Sequence, residues 1–222
     1  GVEDIRSLEY AAEHVLEKTK GMYGDKEPVL LSFPPSLWRS RVLYERIERK
    51  DAALRIDPAE KETIHADLFA RARSSLTTWV QDSSGILAED ISIHKLQILQ
   101  CTIDGYQVQN MLNFPGQHLE VQIMAVFTLV KHLPIVDNIV QRFSGILSPR
   151  IVHLAETLEG FAQTRSQDAI YIDMGDDGLI GILKLRKFFY NFHYLATKEM
   201  RCAYMKSDHF KEEINKYKET LV

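Results

Sequence analysis

The loop from Asp173 to Gly178 contains the richest set of residues that could bind a metal ion. Asp173, Asp177 and Gly178 stand at the first, fifth and sixth positions of a calcium-binding loop, where carboxylates supply oxygen ligands and the glycine permits a sharp turn. The third position is Gly175, and the twelfth is Lys184, where the loop needs a bidentate carboxylate. The sequence therefore favours a helix-capping turn that holds no cation.

Glu62 and His65 have the Glu-x-x-His spacing of di-iron helical bundles, which places both side chains on one face of a helix. A di-iron site needs a second such pair, and none of the other seven histidines follows a glutamate by three residues. We therefore predict that His65 packs at the margin of a core, and that the chain has no metal site.

Other catalytic signatures are absent from the sequence. It contains no His-Glu-x-x-His, no paired Cys-x-x-Cys, no Gly-x-Ser-x-Gly and no glycine-rich nucleotide motif. We predict no cofactor and no catalysis. An enzyme whose site is assembled from dispersed residues, such as His94, His132 and His153, stays open as an alternative.

The residues best suited to binding a partner lie in the segment 36–50. Arginine and aromatic side chains, which are enriched at protein-interaction hot spots and at stacked nucleic-acid contacts, are interleaved there. The predicted partner-binding residues are Trp38, Arg39, Arg41, Tyr44, Arg46 and Arg49. The alternative interpretation is a solvated helical face, because Glu45 and Arg49 stand four residues apart as a stabilising pair.

A second segment, 183–194, combines Lys184 and Lys187 with many aromatic residues. A basic amphipathic helix of this kind can bind a membrane surface or a groove in a partner. A wide apolar stripe in a globular domain is more often core, however, and we interpret this segment as a central core helix.

Composition narrows the class of protein. The 222 residues are 45% hydrophobic and 26% charged, which is average for a globular protein, and the net charge of −4 gives no general attraction to nucleic acids. Cys101 and Cys202 form no disulfide framework, and no apolar run is long enough to span a membrane. We predict a soluble, intracellular protein located in the cytoplasm.

The local signals predict an all-α fold. Asp57 and Pro58 form a cap followed by a proline at the first helical position, and Ser148 with Pro149 repeats this arrangement. Apolar residues recur at helical spacing over most of the chain. The predicted helices cover residues 4–20, 36–53, 58–81, 86–112, 117–133, 134–147, 148–163, 179–205 and 208–221.

These seven to nine helices predict an irregular multi-helix bundle or a short stack of antiparallel helical hairpins. We interpret Val29–Phe33 as a packed loop, and residues 1–222 as a single domain with a minor boundary near 165–178 left open. The leading functional hypothesis is a protein–protein interaction or scaffolding module of a larger assembly. The alternative is a domain that binds nucleic acid or another acidic surface through local basic patches. The oligomeric state stays open.

Overall fold

The computed structural model describes residues 5–19, 29–33, 37–144, 149–153, 169–174, 179–185 and 188–194. Side-chain surroundings are defined over most of the stretch from 37 to 142. The helices are α1 (Ile5–Thr19), α2 (Pro58–Ser84) and α3 (Leu133–Ser144). The strands are β1 (Val29–Leu31), β2 (Arg39–Glu48), β3 (Ile91–Ile103), β4 (Tyr106–Val108), β5 (His118–Leu129), β6 (Pro149–Ile151), β7 (Ala169–Met174), β8 (Leu179–Leu185) and β9 (Phe188–Tyr194).

A four-stranded antiparallel sheet in the order β2-β5-β3-β4 forms the centre of the fold. β1 and β6 pair in parallel, and β7, β8 and β9 form an antiparallel meander whose last strand lies close to β2. The described residues therefore form a mixed α/β fold, in which the central sheet has two faces to cover. No helix in the described part of the chain is long and apolar enough to cross a membrane.

The long helix α2 covers one face of this sheet. Its buried residues recur at spacings of four residues, and they are Ile64, Leu68, Ala72, Leu76 and Val80. They pack against inward-facing residues of β2, β3 and β5, including Leu43 and Ile123. The helix begins where the Asp57 carboxylate accepts a hydrogen bond from the Glu60 amide (2.8 Å), and it ends at Gly85 in the left-handed conformation.

A second core cluster lies on the opposite face of the sheet, near the first residues of β2. Leu37 and Trp38 pack there against Met124 and Val126 of β5, together with Val136 and Ile139 of α3. Helix α1 contacts α3, where Asn138 donates a hydrogen bond to Glu9 and Arg142 pairs with Glu13. Only part of this face is covered by these residues.

The all-α prediction is wrong, because the chain forms strands at its centre. The predicted helices over 36–53, 86–112 and 117–133 are replaced by β2, by β3 with β4, and by β5. The predicted bundle of seven to nine helices is therefore replaced by three α-helices in the described residues. Those predicted over 4–20, 58–81 and 134–147 correspond to α1, α2 and α3.

Two register shifts in β3 explain why its sequence resembles a helix. The shifts fall between Ile93 and Lys95 and between Ile98 and Gln100. Each inserts one residue, so the apolar side chains that face α2 are Ile91, Ile93, Leu96, Ile98, Cys101 and Ile103. A bulged strand thus has apolar residues two and three positions apart in turn, which imitates the spacing of a helical stripe.

The sequences of the neighbouring strands β5 and β2 also fail to predict strands, but for different reasons. β5 is buried on both faces from Val121 to Leu129, so its sequence, which is apolar there except for Gln122 and Thr128, shows no regular alternation. In β2, Leu43 and Ile47 are buried as expected, but Glu45 between them is buried as well. A charged residue at an inward position hides the two-residue period.

Other predictions are corrected by the remaining strands. The run interpreted as a packed loop contains β1, and the helix predicted from Ser148 begins instead with β6. β8 and β9 occupy most of the predicted aromatic core helix, and β7 ends at Met174 within the acidic loop. Residues 175–178 of that loop, the C-terminal part of the 179–205 prediction and the last predicted helix lie outside the described residues.

Candidate protein interface

All six predicted partner-binding residues lie on β2 or next to its ends. Since successive side chains of a strand point to opposite faces, β2 divides them into two groups. Arg39 and Arg41 have the same parity as Leu43 and therefore share the face that α2 covers. Tyr44 and Arg46 lie on the opposite face. The six residues thus do not form one continuous patch of the kind a helix would display.

Trp38 precedes β2 and is buried, with 2% of its surface exposed. Its ring contacts Phe33 (centroids 5.7 Å apart) and the edge of His94 (4.9 Å). The carbonyl of Trp38 lies 3.0 Å from Nε2 of the buried His153. Trp38 therefore anchors the start of β2 in the second core cluster.

Arg49 follows the end of β2, and its side chain is almost fully buried. Its guanidinium makes a bidentate ion pair with Glu60 (2.7 and 2.8 Å) and donates to the carbonyls of Gly116 (2.7 Å) and Leu54 (3.0 Å). A Cβ on Gly116, which has φ +141°, would lie 2.2 Å from a methyl of Ile103. Arg49 therefore ties β2, the start of α2 and two loops into one satisfied network.

Arg41 stacks on an aromatic ring of α2. Its guanidinium carbon lies 3.8 Å from the centroid of Trp79, which is 36% exposed. About two helical turns away on α2, Arg71 pairs with Asp67 (3.0 Å) and donates to the carbonyl of Arg46 (3.4 Å). A strip of arginine and tryptophan therefore runs along the junction of β2 and α2.

Tyr44 and Arg46 face away from α2. Tyr44 is 52% exposed and lies opposite Gln122 of β5, while Arg46 is exposed and lies opposite Glu120. The polar row continues into β3, where Thr102 is opposite Glu120 and donates to its backbone carbonyl (3.4 Å). This part of the sheet face is polar, in contrast to the apolar part that contacts Trp38.

Arg39 begins β2 in a positively charged environment. Burial lowers the pKa of Arg39. His132 lies nearby, and its pKa is lowered by burial, then by the charge of Lys131, and then by that of Arg39. Among the ion pairs of the described residues, none involves Arg39, Lys131 or His132. Three basic groups therefore meet at this end of the sheet.

A cavity of about 160 Å³ lies beside these basic groups. Ile86 and Leu129 supply its apolar walls, and Asp90 and Lys131 supply its charged ones. Leu87 and Val130, which adjoin the wall residues in sequence, are each more than 40% exposed. Of the three basic groups, Lys131 therefore lines the cavity itself.

The candidate metal and catalytic residues have other surroundings. His65 is partly exposed and lies 6.2 Å from Phe69, ring to ring. No group of three or more histidine, cysteine or acidic residues that could hold a metal occurs in the parts of the chain that are described. Cys101 is buried, and desolvation raises the pKa of its thiol to about 11. The structure thus keeps this thiol protonated at neutral pH.

Sequence reasoning found the arginines of β2 but missed their neighbours. The sequence places Trp79 only within the predicted helix 58–81, and no motif in it marks Lys131. His132 was considered only as one member of a dispersed catalytic site. No local signal connects these residues to β2, because the packing of α2 and the pairing of β5 with β2 bring them together.

Comparisons with known proteins inform the fold. Neither family models nor curated proteins match this chain. Among solved structures, a chain described as "PilM-PilN type IV pilus biogenesis complex" is similar over 85% of this chain, with a TM-score of 0.50 and 12% sequence identity. This chain covers 48% of that one, so it spans about half the length of its structural neighbour. At this identity the likeness concerns the fold alone.

Proposed function

We propose that this chain is a protein–protein interaction module of a larger assembly, and that it binds its partner along the junction of β2 and α2. The observation that carries the proposal is the stack of Arg41 on a partly exposed Trp79. Arginine and tryptophan are the residues most enriched at interaction hot spots, and a cation–π stack holds both in place before a partner arrives.

Neighbouring residues extend this surface, which we call the β2–α2 surface and define as Arg39, Arg41, Tyr44, Arg46 and Trp79. Arg39, Arg41 and Trp79 lie on the α2 side of the sheet, whereas Tyr44 and Arg46 lie on its opposite face, on the same strand at the end of the sheet. The buried Trp38 and Arg49 support the surface by fixing both ends of β2. A rigid strand lowers the entropy lost when a partner binds.

The similar solved structure is a component of a pilus biogenesis complex by its description. A module that works inside an assembly is consistent with that likeness. Nucleic-acid binding is the weaker candidate, because Glu45, Asp67 and Glu120 lie among the arginines. Phosphate recognition favours basic residues without interspersed carboxylates.

The test is capture of partners on immobilised chain, with and without nuclease, by the unaltered protein and by charge-reversed variants. We expect Arg39→Glu and Arg46→Glu each to reduce retention of a nuclease-resistant partner at least tenfold, with no loss of melting temperature. Retention that disappears with nuclease would instead favour nucleic-acid recognition.

The matched control is Arg55→Glu, which reverses an exposed charge in the loop before α2 and away from the β2–α2 surface. It should retain the partner fully. Equal retention by all three variants would contradict the assignment of the interface to the β2–α2 surface.

A further inference from the structure

We infer that the basic end of the sheet, formed by Arg39, Lys131 and His132, binds an acidic segment of the partner protein whose aliphatic side chain enters the adjacent cavity. The inference rests on the proposed function and specifies the chemistry of the partner. It depends on the charges, on the cavity and on the burial of these groups.

The charge of this basic end is not compensated by an ion pair within the described residues. Arg39 is partly buried, yet no carboxylate within the described ranges forms an ion pair with it or with Lys131. Helix α3 begins at Leu133, so the partial positive charge of its N-terminus lies at the same end. A partner carboxylate placed here would meet several positive groups at once.

The fold holds these groups at an electrostatic cost. Burial and the neighbouring charges lower the pKa of His132, and burial lowers that of Arg39. Within the described residues, the buried Nδ1 of His132 has no hydrogen-bond partner. Perturbed pKa values and buried polar groups without partners are concentrated at functional sites.

The cavity has the size and lining for an aliphatic side chain. Its volume of about 160 Å³ accommodates an aliphatic side chain, and Ile86 and Leu129 line it. Lys131 belongs both to the cavity wall and to the basic group. A segment with a carboxylate next to a leucine or isoleucine therefore satisfies the two features together.

A protein segment fits this site better than a nucleic acid. Asp90 lies in the cavity wall and disfavours any anion inside the cavity, which therefore suits an uncharged aliphatic side chain. The apolar walls offer no hydrogen bonds to a sugar or a base edge. A nucleic acid would also need a longer track of basic groups than these three residues provide.

The experiment measures binding of four fluorescein-labelled probes to the full chain by fluorescence anisotropy at about 50 mM salt, where electrostatic contacts are strongest. The probes are a hexapeptide alternating aspartate with leucine, its asparagine–leucine and aspartate–serine counterparts, and a six-nucleotide thymidine strand. We expect the aspartate–leucine peptide to bind at least tenfold more tightly than each of the others.

Variants then locate the bound peptide. Arg39→Met and Lys131→Met should each weaken the aspartate–leucine peptide about tenfold, because each removes a charge-assisted contact. Lys50→Met, an exposed lysine at the opposite end of β2, is the matched control and should change nothing. Circular dichroism spectra of the three variants should superimpose on that of the unaltered chain.

Several results would overturn the inference. They are equal binding of the asparagine–leucine peptide, equal binding of the aspartate–serine peptide, tighter binding of the thymidine strand, no binding of any peptide at millimolar concentration, or equal weakening by Lys50→Met. If these occur while Arg46→Glu still abolishes partner capture, the proposed function stands and only the acidic ligand is rejected. If capture is unaffected by every charge reversal, the proposed function fails first.

Discussion

The two ends of β2 each carry an arginine, and the surroundings of the two differ in almost every respect. Arg49 is buried among two carboxylate oxygens and two carbonyls, all within 3.0 Å of its guanidinium. Arg39 is partly buried beside Lys131 and His132, with no carboxylate in ion-pair distance among the described residues. Arg49 is paired within the fold, whereas Arg39 has no ion-pair partner among the described residues.

The difference shows how the same residue type serves structure or binding. A guanidinium that uses four of its five donors inside the fold, as Arg49 does, has little left to offer a partner. One that is desolvated among like charges gains most from an anion that arrives from outside. We therefore expect stability to depend on the Arg49 end of β2 and recognition to depend on the Arg39 end.

The largest effect should come from Arg49→Met. Methionine fills a similar volume, but it leaves the carbonyls of Gly116 and Leu54 without a donor and Glu60 without a cation. We expect a loss of about 3 kcal/mol in the free energy of unfolding, measured by urea denaturation with fluorescence detection.

The matched substitution at the other end is Arg39→Met. It removes a desolvated charge that the described residues do not compensate, so we expect a change within about 0.5 kcal/mol, in either direction. The contrast between the two ends would be broken if Arg39→Met cost as much as Arg49→Met.

A smaller effect should follow from separating Arg41 and Trp79. Since Trp79 is partly exposed, their stacking should contribute about 0.5 to 1 kcal/mol to stability. A double-mutant cycle with Arg41→Met and Trp79→Leu isolates this coupling energy. A coupling near zero would mean that the stack is not held in the free protein, and the β2–α2 surface would lose its preorganised element.

The smallest effect concerns pH. The pKa of His132 is lowered in the folded protein by burial, Lys131 and Arg39, so the unfolded chain binds a proton more readily. The stabilising contribution of neutral His132 is therefore complete above the unfolded pKa of about 6.5 and is lost as pH falls through the lowered folded value.

Replacing the imidazole of His132 tests the direction of this pH dependence of stability. We expect His132→Gln to gain stability relative to the unaltered chain as pH falls from about 7.5 to about 5, in urea denaturation series at each pH. Arg39→Met should reduce the effect, since it removes one of the charges acting on His132. A stability difference that is constant with pH would show that His132 is not held among like charges.

The extent to which sequence predicts this fold differs between its helices and its strands. Helix α2 was predictable because its signals are local: Asp57 caps it, Pro58 begins it, and Gly85 ends it. The strands were missed because their signals depend on their partners. The bulges of β3 are defined only by pairing with β5, and the burial of β5 on both faces depends on α2, α3 and Trp38.

The candidate interface was likewise predictable only in part from the sequence. Sequence alone identified an arginine- and aromatic-rich segment at residues 36–50, since residue type and spacing are enough for that inference. It could not separate Arg49 from Arg39, because the carboxylate of Glu60 and the carbonyl of Gly116 reach Arg49 through folded loops.

By itself the sequence determined the local features of this protein: the capped helix α2, the turns at its ends and the concentration of arginines around β2. Tertiary structure alone decided the sheet, the faces on which those arginines lie and the surroundings that each of them meets. The physical reason is the separation along the chain between the residues that interact. Caps and turns depend on hydrogen bonds between residues a few positions apart, whereas strand pairing, burial and electrostatic surroundings depend on contacts between residues far apart in the chain.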